Sequence, residues 1–170
     1  MRKLFTNSFN TRLGAVKTIA TEKKLLLIAL PGESEDEIER QTARYADGAE
    51  VLEGGEINRM AERQLTEFLN GKRREFSLPV ELRGTEFQRM VLQRVQQIPY
   101  GKTMTYGEVA RSIGRPSSAR AVGAANAANR LPLVIPCHRV VAAHGQGGYG
   151  GGLEVKADLL QMEAENLHRK

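Results

Sequence analysis

The chain has 170 residues, 41% of them hydrophobic, and a formal net charge of +5. That length fits one domain or two small ones, each able to bury a core. No run approaches the roughly 18 apolar residues of a membrane span, and Met1 to Thr11 lack the apolar stretch of a secretory signal, so a soluble, cytoplasmic protein is expected.

The N-terminal part reads as α+β. Val16 to Ala20 and Leu25 to Leu30 are short apolar runs separated by Thr21-Glu22-Lys23-Lys24, the pattern of a hairpin. Pro31-Gly32 stops the second strand. Glu33 to Tyr45 is a polar helix with acids in its first turn, where they suit the helix dipole. Asp47-Gly48 ends it. Glu56 to Asn70 places Ile57, Met60, Ala61, Leu65 and Phe68 on one helical stripe, and Asn70-Gly71 closes it. This half contains neither Cys nor His, and its acids are spread over helix faces, so no catalytic constellation is visible. Gly71 to Gly84 is charged and holds Pro79. It reads as the linker between a first domain, 1–80, and a second, 81–170.

The second domain opens on Thr85-Glu86-Phe87-Gln88, a capping-box spacing, followed by a helical stripe of Phe87, Met90, Val91, Val95 and Ile98. Pro99 to Lys102 is a turn. A second capping box, Thr105 to Glu108, precedes Val109, Ala110 and Ile113. Gly114 fits the left-handed position past that helix, and Pro116 opens a third helix, Ser117 to Ala127. Helix, short glycine turn, helix is the helix-turn-helix signature; the same pattern fits an ordinary packed pair. The third helix carries mostly alanine and glycine, with Arg120 its only charge. A major-groove reader needs several long polar side chains. A bare helix suits close approach to a backbone or a narrow groove. Arg120 then inserts into the base stack or binds phosphate, unless it is only a surface ion-pair partner.

Charge placement supports a polyanionic partner. Residues 1–84 carry 14 Lys/Arg against 14 Asp/Glu, whereas 85–170 carry 11 against 6. Between 87 and 150 the count is 8 basic side chains and one acid, Glu108. A surface of this kind attracts nucleic acid above all.

Asn129 to Pro136 reads as a short extended segment leading into Cys137, the sole cysteine. A sole cysteine forms no internal disulfide and no multi-cysteine zinc site. It is either an inert core thiol or a reactive one. Pro136 before it and His138-Arg139 after it argue for reactive, because a nearby cation or proton acceptor favours the thiolate. His144 to Gly152 is a loop with six glycines and no phosphate-loop Lys-Ser ending, and it reads as a lid over a pocket. Val155 to Leu167 is a helix with Leu159, Leu160, Met162 and Leu167 apolar. Glu163 lies near that stripe, where a partly buried carboxylate needs a partner; His138 is the candidate.

Pro136-Cys137-His138-Arg139-Val140 resembles the active-site motif of the O6-alkylguanine-DNA alkyltransferases, also called methylated-DNA–protein-cysteine methyltransferases. The similarity runs through Gly84 to Gln88, Ile98 to Gly101, Thr105 to Ala110, Arg115 to Asn126, and Tyr149 to Leu153 with the closing helix. It thus covers nearly all of 84–167. For the fold it implies an RNase H-like α/β first domain, then a mainly helical domain with a winged-helix-like helix-turn-helix. For activity it implies irreversible, cofactor-free transfer of an alkyl group to Cys137 from O6-alkylguanine, and often O4-alkylthymine, in double-stranded DNA. Such a protein binds the minor groove as a monomer and flips the damaged base.

Residue roles follow from the same resemblance. Cys137 is the acceptor, His138 takes its proton through a water, and Glu163 orients the histidine, as in a hydrolase triad. Tyr106 protonates guanine N3, and Asn129 braces the active-site turn. Pro132, Val140, Tyr149 and Gly150 line the pocket; Gly150 stands where some members have a serine. Arg120 is the arginine finger, and Thr105, Tyr106, Ser117, Ser118, Ala121, Gly123 and Arg139 contact DNA. No metal is expected, because the first-domain zinc cysteines of some members are missing. Two other readings are a Cys-His-Glu hydrolase and a damage-binding protein without transferase activity.

Overall fold

The computed structural model describes residues 2–169 and begins with a strand that the sequence pattern does not signal. This strand, β1 (Lys3–Thr11), has few apolar residues, and Leu4 is its one fully buried side chain. Its alternation is therefore weak, and its extended form comes from its neighbours. It pairs antiparallel with β2 (Gly14–Ala20), from Phe5 opposite Ala20 to Thr11 opposite Gly14. The predicted hairpin follows: β2 pairs antiparallel with β3 (Leu25–Ala29), whose residues are all buried.

Helix α1 (Glu35–Ala46) starts two residues later than the sequence suggests, because the Ser34 hydroxyl caps it by accepting from the Glu37 amide. Strand β4 (Glu50–Glu53), also unsignalled, pairs parallel with β1. The sheet order is β3-β2-β1-β4. Helix α2 (Glu56–Leu69) buries Ile57, Ala61, Leu65 and Phe68, its predicted stripe apart from the half-buried Met60. The core here gathers Leu4, Ile19, Leu26, Leu27, Ala29, Ile38 and Tyr45.

One compact unit ends at Glu81 and a second begins at Leu82. The stretch read as a linker is partly structural. The Leu25 amide donates to the Pro79 carbonyl and the Glu81 amide to that of Leu25, closing the outer edge of β3. Ser77 is likewise held by the Gln64 side chain.

In the second unit, α3 (Glu86–Gln96) and α4 (Tyr106–Ser112) both begin with complete capping boxes, Thr85/Gln88 and Thr105/Glu108. Gly114 has φ +74 and turns the chain toward α5 (Ala119–Ala127). Helices α3, α4 and α5 pack on one another. The segment before Cys137 is not extended. It turns at Leu133 and Val134, with the Ile135 amide donating to the Leu131 carbonyl. Leu133 holds φ +76, an uncommon state for a bulky side chain, next to the candidate site. Cys137–Arg139 form a 3-10 turn. A short parallel pair, β5 (Met104–Thr105) with β6 (Val140–Val141), then sets the start of α4 beside the chain leaving Cys137. The final helix, α6 (Leu153–Leu167), buries Lys156, Leu159 and Glu163. Among the described residues, no helix is long and apolar enough to cross a membrane.

Gly55 precedes α2 with φ +91, and a methyl group there would lie 2.8 Å from the Phe5 ring on β1. Positive φ and the clash add, so Gly55→Ala should cost roughly 2 kcal/mol or more. Thermal unfolding of the variant measures it.

Candidate active site

Residues 131–140 are buried without a break, and Cys137 sits near the end of this run. Two amides of the preceding helix region fix the backbone around it. Asn126 Nδ2 donates to the Cys137 carbonyl at 3.2 Å, and Asn129 Nδ2 donates to the Ile135 carbonyl at 2.9 Å. Asn129 Oδ1 in turn accepts from the Leu131 amide. The three-residue spacing of Asn126 and Asn129 lets the end of α5 grip both sides of Pro136.

Glu163 gathers the neighbouring polar groups. Its Oε2 lies 2.6 Å from His138 Nε2, and both side chains are buried. Arg139 donates to the same carboxylate through Nε at 2.8 Å and Nη2 at 3.1 Å, and the Gly101 amide donates at 2.9 Å. The remaining Arg139 nitrogen, Nη1, donates to the Ile98 carbonyl at 2.7 Å, and the guanidinium stacks 5.4 Å from the centre of the Tyr100 ring. The assignment of Arg139 to a DNA contact is therefore corrected: it is buried and its guanidinium is held inside the protein.

Burial alone would raise the Glu163 pKa, but the hydrogen bonds from His138 and Arg139 outweigh it and bring it down to about 2. With the carboxylate ionised, His138 Nε2 carries the proton that it donates. Burial lowers the His138 pKa against the opposing pull of Glu163, so the ring is neutral and Nδ1 is its basic nitrogen.

Burial also dominates at Cys137. The Cys137 thiol is raised to about 11, with the Asn129 side chain and the Lys156 charge working in the opposite direction. Against the sequence expectation that His138 and Arg139 favour the thiolate stands the burial of the sulfur, which pushes the thiol up. Arg139 is neutralised by Glu163, and desolvation exceeds what remains. Burial thus favours the thiol over the thiolate.

The other predicted residues fall into two groups. Pro132 and Val140 are buried in the Cys137 run, and Tyr149 is half-buried with its ring edge-on to His138 at 6.5 Å. Tyr106, the first residue of α4, has its ring against Gly123 of α5, and a methyl group at Gly147 would meet its hydroxyl at 2.5 Å. The glycine loop therefore lies over Tyr106, while Gly150 is exposed. Arg120, Ala121, Ala124 and Ala127 form the exposed face of α5, with Ser117 exposed just before it. Ser118 is the N-cap residue of α5, and the Thr105 hydroxyl is engaged in capping α4.

Two residues of this neighbourhood escaped the sequence reading. Asn126 is hidden among alanines. Lys156 is fully buried and donates to the Val140 carbonyl at 2.6 Å and the Gly148 carbonyl at 3.1 Å. Its spacing with Leu159 and Glu163, i, i+3 and i+7 on α6, is the signal that could have revealed it. Among the described residues, no group of three or more His, Cys, Asp or Glu side chains is placed to hold a metal ion.

A family model described as the 6-O-methylguanine DNA methyltransferase, DNA binding domain, matches residues 86–165. A methylated-DNA–protein-cysteine methyltransferase of Mycolicibacterium paratuberculosis is 52% identical over 101 residues, 59% of this chain and 61% of that protein. One from Methanosarcina acetivorans is 44% identical over 113 residues, 66% of this chain and 72% of its own length. The solved structure of Mycobacterium tuberculosis OGT in complex with DNA matches with a TM-score of 0.82 and 31% identity, covering 95% of this chain and 94% of that one.

Replacing Glu163 by Gln removes the charge that balances buried Arg139, and breaking such a pair costs about 3–5 kcal/mol. Denaturant unfolding of Glu163→Gln measures the loss. The wild-type pH profile is expected to have two stages. His138 resists protonation in the folded state, so stability falls as pH drops below the ordinary 6.5. Glu163 contributes fully above the ordinary 4.5, and that contribution is lost as pH falls toward about 2. In Glu163→Gln the lower stage should be shallower, as read by unfolding temperature against pH.

Proposed function

Because the chain belongs to the methylated-DNA–protein-cysteine methyltransferase family, we propose that it reverses alkylation damage in DNA by moving the alkyl group of O6-alkylguanine to Cys137. The observation that carries this reading is the buried Cys137, His138 and Glu163 set directly behind a helix whose exposed face is nearly bare.

The chemistry follows from the protonation states. A thiol with a pKa near 11 is about one ten-thousandth ionised at neutral pH, so a base is needed. His138, neutral and with Nε2 engaged by Glu163, takes the thiol proton at Nδ1 through a water, and the ionised carboxylate then stabilises the imidazolium. The sulfur attacks the alkyl carbon. An S–C bond forms, the C–O6 bond breaks, and its electron pair passes onto the guanine. Tyr106 supplies a proton to N3, so the base leaves neutral; the protons exchanged at Tyr106 and His138 then equilibrate with solvent. Cys137 is left as a thioether, which the reaction does not turn back into a thiol. The protein acts once.

The DNA-facing surface fits a minor groove. Small side chains at Ala121, Ala124 and Ala127 permit close approach, and Arg120 projects from the same face. In this reading Arg120 fills the space left by the flipped nucleotide, since a stacked base hides its alkyl group from a buried thiol. Pro132, Val140, Tyr149 and the exposed Gly150 line the pocket that receives it. Ser117, Ser118 and the start of α4 at Thr105 meet the backbone. The protein acts as a monomer. The mixed sheet with its two helices corresponds to the RNase H-like first domain of the family, 1–80, and the β5–β6 pair beside α4 and α5 to a reduced winged helix in 81–170.

Intact and peptide mass spectrometry after mixing with a duplex holding one O6-methylguanine tests the reading. One methyl on the Cys137 peptide, saturating at one per protein, is expected; bound duplex with Cys137 unmodified would make the protein a damage sensor instead. Arg120→Ala should slow repair in duplex by about tenfold or more, the scale of a lost base-unstacking aid, while reaction with free O6-benzylguanine stays near wild type. Equal losses on both substrates would remove Arg120 from the flipping step. DNA affinity should also fall with salt, by a slope of about −0.9 per phosphate contact.

A further inference from the structure

The basic stretch from 87 to 150 carries 8 cations and a single acid, Glu108. On the DNA-facing side of the proposed reading a carboxylate repels phosphate, yet this one stands exposed on the first turn of α4. Its carboxylate is engaged close by. Glu108 Oε1 accepts from the Thr105 amide at 3.2 Å, and the Glu108 amide donates to the Thr105 hydroxyl at 3.0 Å. Tyr106 lies in the chain between them. We propose that Glu108 is a positioning residue which, by holding Thr105, sets where the Tyr106 hydroxyl stands relative to the Cys137 segment. This rests on Tyr106 being the proton donor to the leaving guanine.

Thr105 is the junction between nucleophile and proton donor. It belongs to β5, which pairs in parallel with β6, Met104 opposite Val140 and Thr105 opposite Val141. Strand β6 leaves the Cys-His-Arg turn directly. Tyr106 follows Thr105 as the first residue of α4. A ladder this short is marginal by itself. The reciprocal pair with Glu108 adds two hydrogen bonds around the same residue and holds its extended backbone, φ -78 and ψ 161. The angle at which the chain enters α4 follows from that backbone, and the direction of the Tyr106 side chain follows with it.

The ring of Tyr106 has little room to absorb a shift. On one side is Gly123 of α5, where a methyl group would lie 3.7 Å from the ring. On the other is Gly147, where a methyl group would meet the hydroxyl at 2.5 Å and the ring at 2.9 Å. A glycine on each side makes a slot fitted to one ring position, so a displaced Thr105 moves the hydroxyl out of it. Reach, not charge, is what Glu108 contributes. The capping box of α3 makes the same two bonds with a neutral side chain: Gln88 Oε1 accepts from the Thr85 amide at 3.0 Å, and the Gln88 amide donates to the Thr85 hydroxyl at 3.1 Å. Glutamine at 108 therefore keeps the pair, whereas aspartate keeps the charge and is one methylene too short.

The experiment measures single-turnover methyl transfer from a duplex with one O6-methylguanine, over a range of protein concentrations, in wild type, Glu108→Gln and Glu108→Asp. A misplacement of roughly 1 Å can cost about a hundredfold in rate, so Glu108→Asp should lose about tenfold or more of the maximal rate while Glu108→Gln stays within about twofold of wild type. The half-saturating concentration should rise in neither variant, because neither adds negative charge. A wild-type maximal rate in Glu108→Asp, a slow Glu108→Gln, or a loss carried by half-saturation alone overturns the proposal. Should Glu108→Asp fail to fold, Glu108→Ala takes its place, with Glu108→Gln still separating reach from charge. The ring position is also read by NMR without any reaction. Nuclear Overhauser contacts from the Tyr106 ring to the α-protons of Gly123 and Gly147 should persist in Glu108→Gln and weaken in Glu108→Asp, and unchanged contacts in Glu108→Asp overturn the proposal as well. A wild type that shows these contacts and transfers no methyl group defeats the repair reading, and the NMR comparison then decides the placement of Tyr106 by itself.

Discussion

The second unit depends on one carboxylate. Glu163 accepts from His138, twice from Arg139 and once from the Gly101 amide, all within an interior that excludes water. The cluster joins three stretches of chain: His138 and Arg139 come from the 3-10 turn, Gly101 from the turn after α3, and Glu163 from α6. Removing water makes each hydrogen bond stronger and each unpaired group more costly. The cluster is tolerated only when complete. It therefore fixes the register of α6 against the 3-10 turn, and with it the orientation of the imidazole.

The same exclusion of water creates a conflict at Cys137. In the proposed reaction burial suits specificity, since only a base turned out of its stack would reach the sulfur. Burial also suppresses the thiolate that must attack. The proposed mechanism meets this conflict with groups that act when the reaction occurs and cost little at rest. In the proposed reaction His138, held neutral by burial, accepts the proton and the ionised Glu163 stabilises the resulting charge. A permanently ionised surface cysteine would react with many electrophiles; a protonated buried one reacts chiefly where substrate binding brings an alkyl carbon to it.

In the proposed reading, DNA engagement and chemistry share a single short helix. The exposed side of α5 is alanine with Arg120, and its buried side carries Val122, Ala125 and Asn126. From the end of this helix, Asn126 and Asn129 hold the carbonyls on both sides of Pro136. Nine residues suffice because small side chains on one face allow a close docking surface, and amides on the other tie that surface to the nucleophile. The left-handed Leu133 lies within the same tether.

The elements readable from the sequence were those with local causes. Two capping boxes, the Gly114 turn and the stripe of α2 each depend on residues within a few positions of one another, and these appear where their spacing put them. The Pro-Cys-His-Arg string and the basic bias of the second half pointed to the chemistry and its partner. Strands β1 and β4 were not readable, because their polar residues become extended only through pairing with distant chain. The role of Arg139 was misjudged for the same reason: sequence shows a cation beside a cysteine, but not the carboxylate 24 residues away that neutralises it. Lys156 was invisible as part of the site until α6 packed against the 3-10 turn. Sequence by itself determined which groups were available to react. Only tertiary structure decided which of them are dry, which are paired and which remain charged, because desolvation and ion pairing are properties of the packed interior.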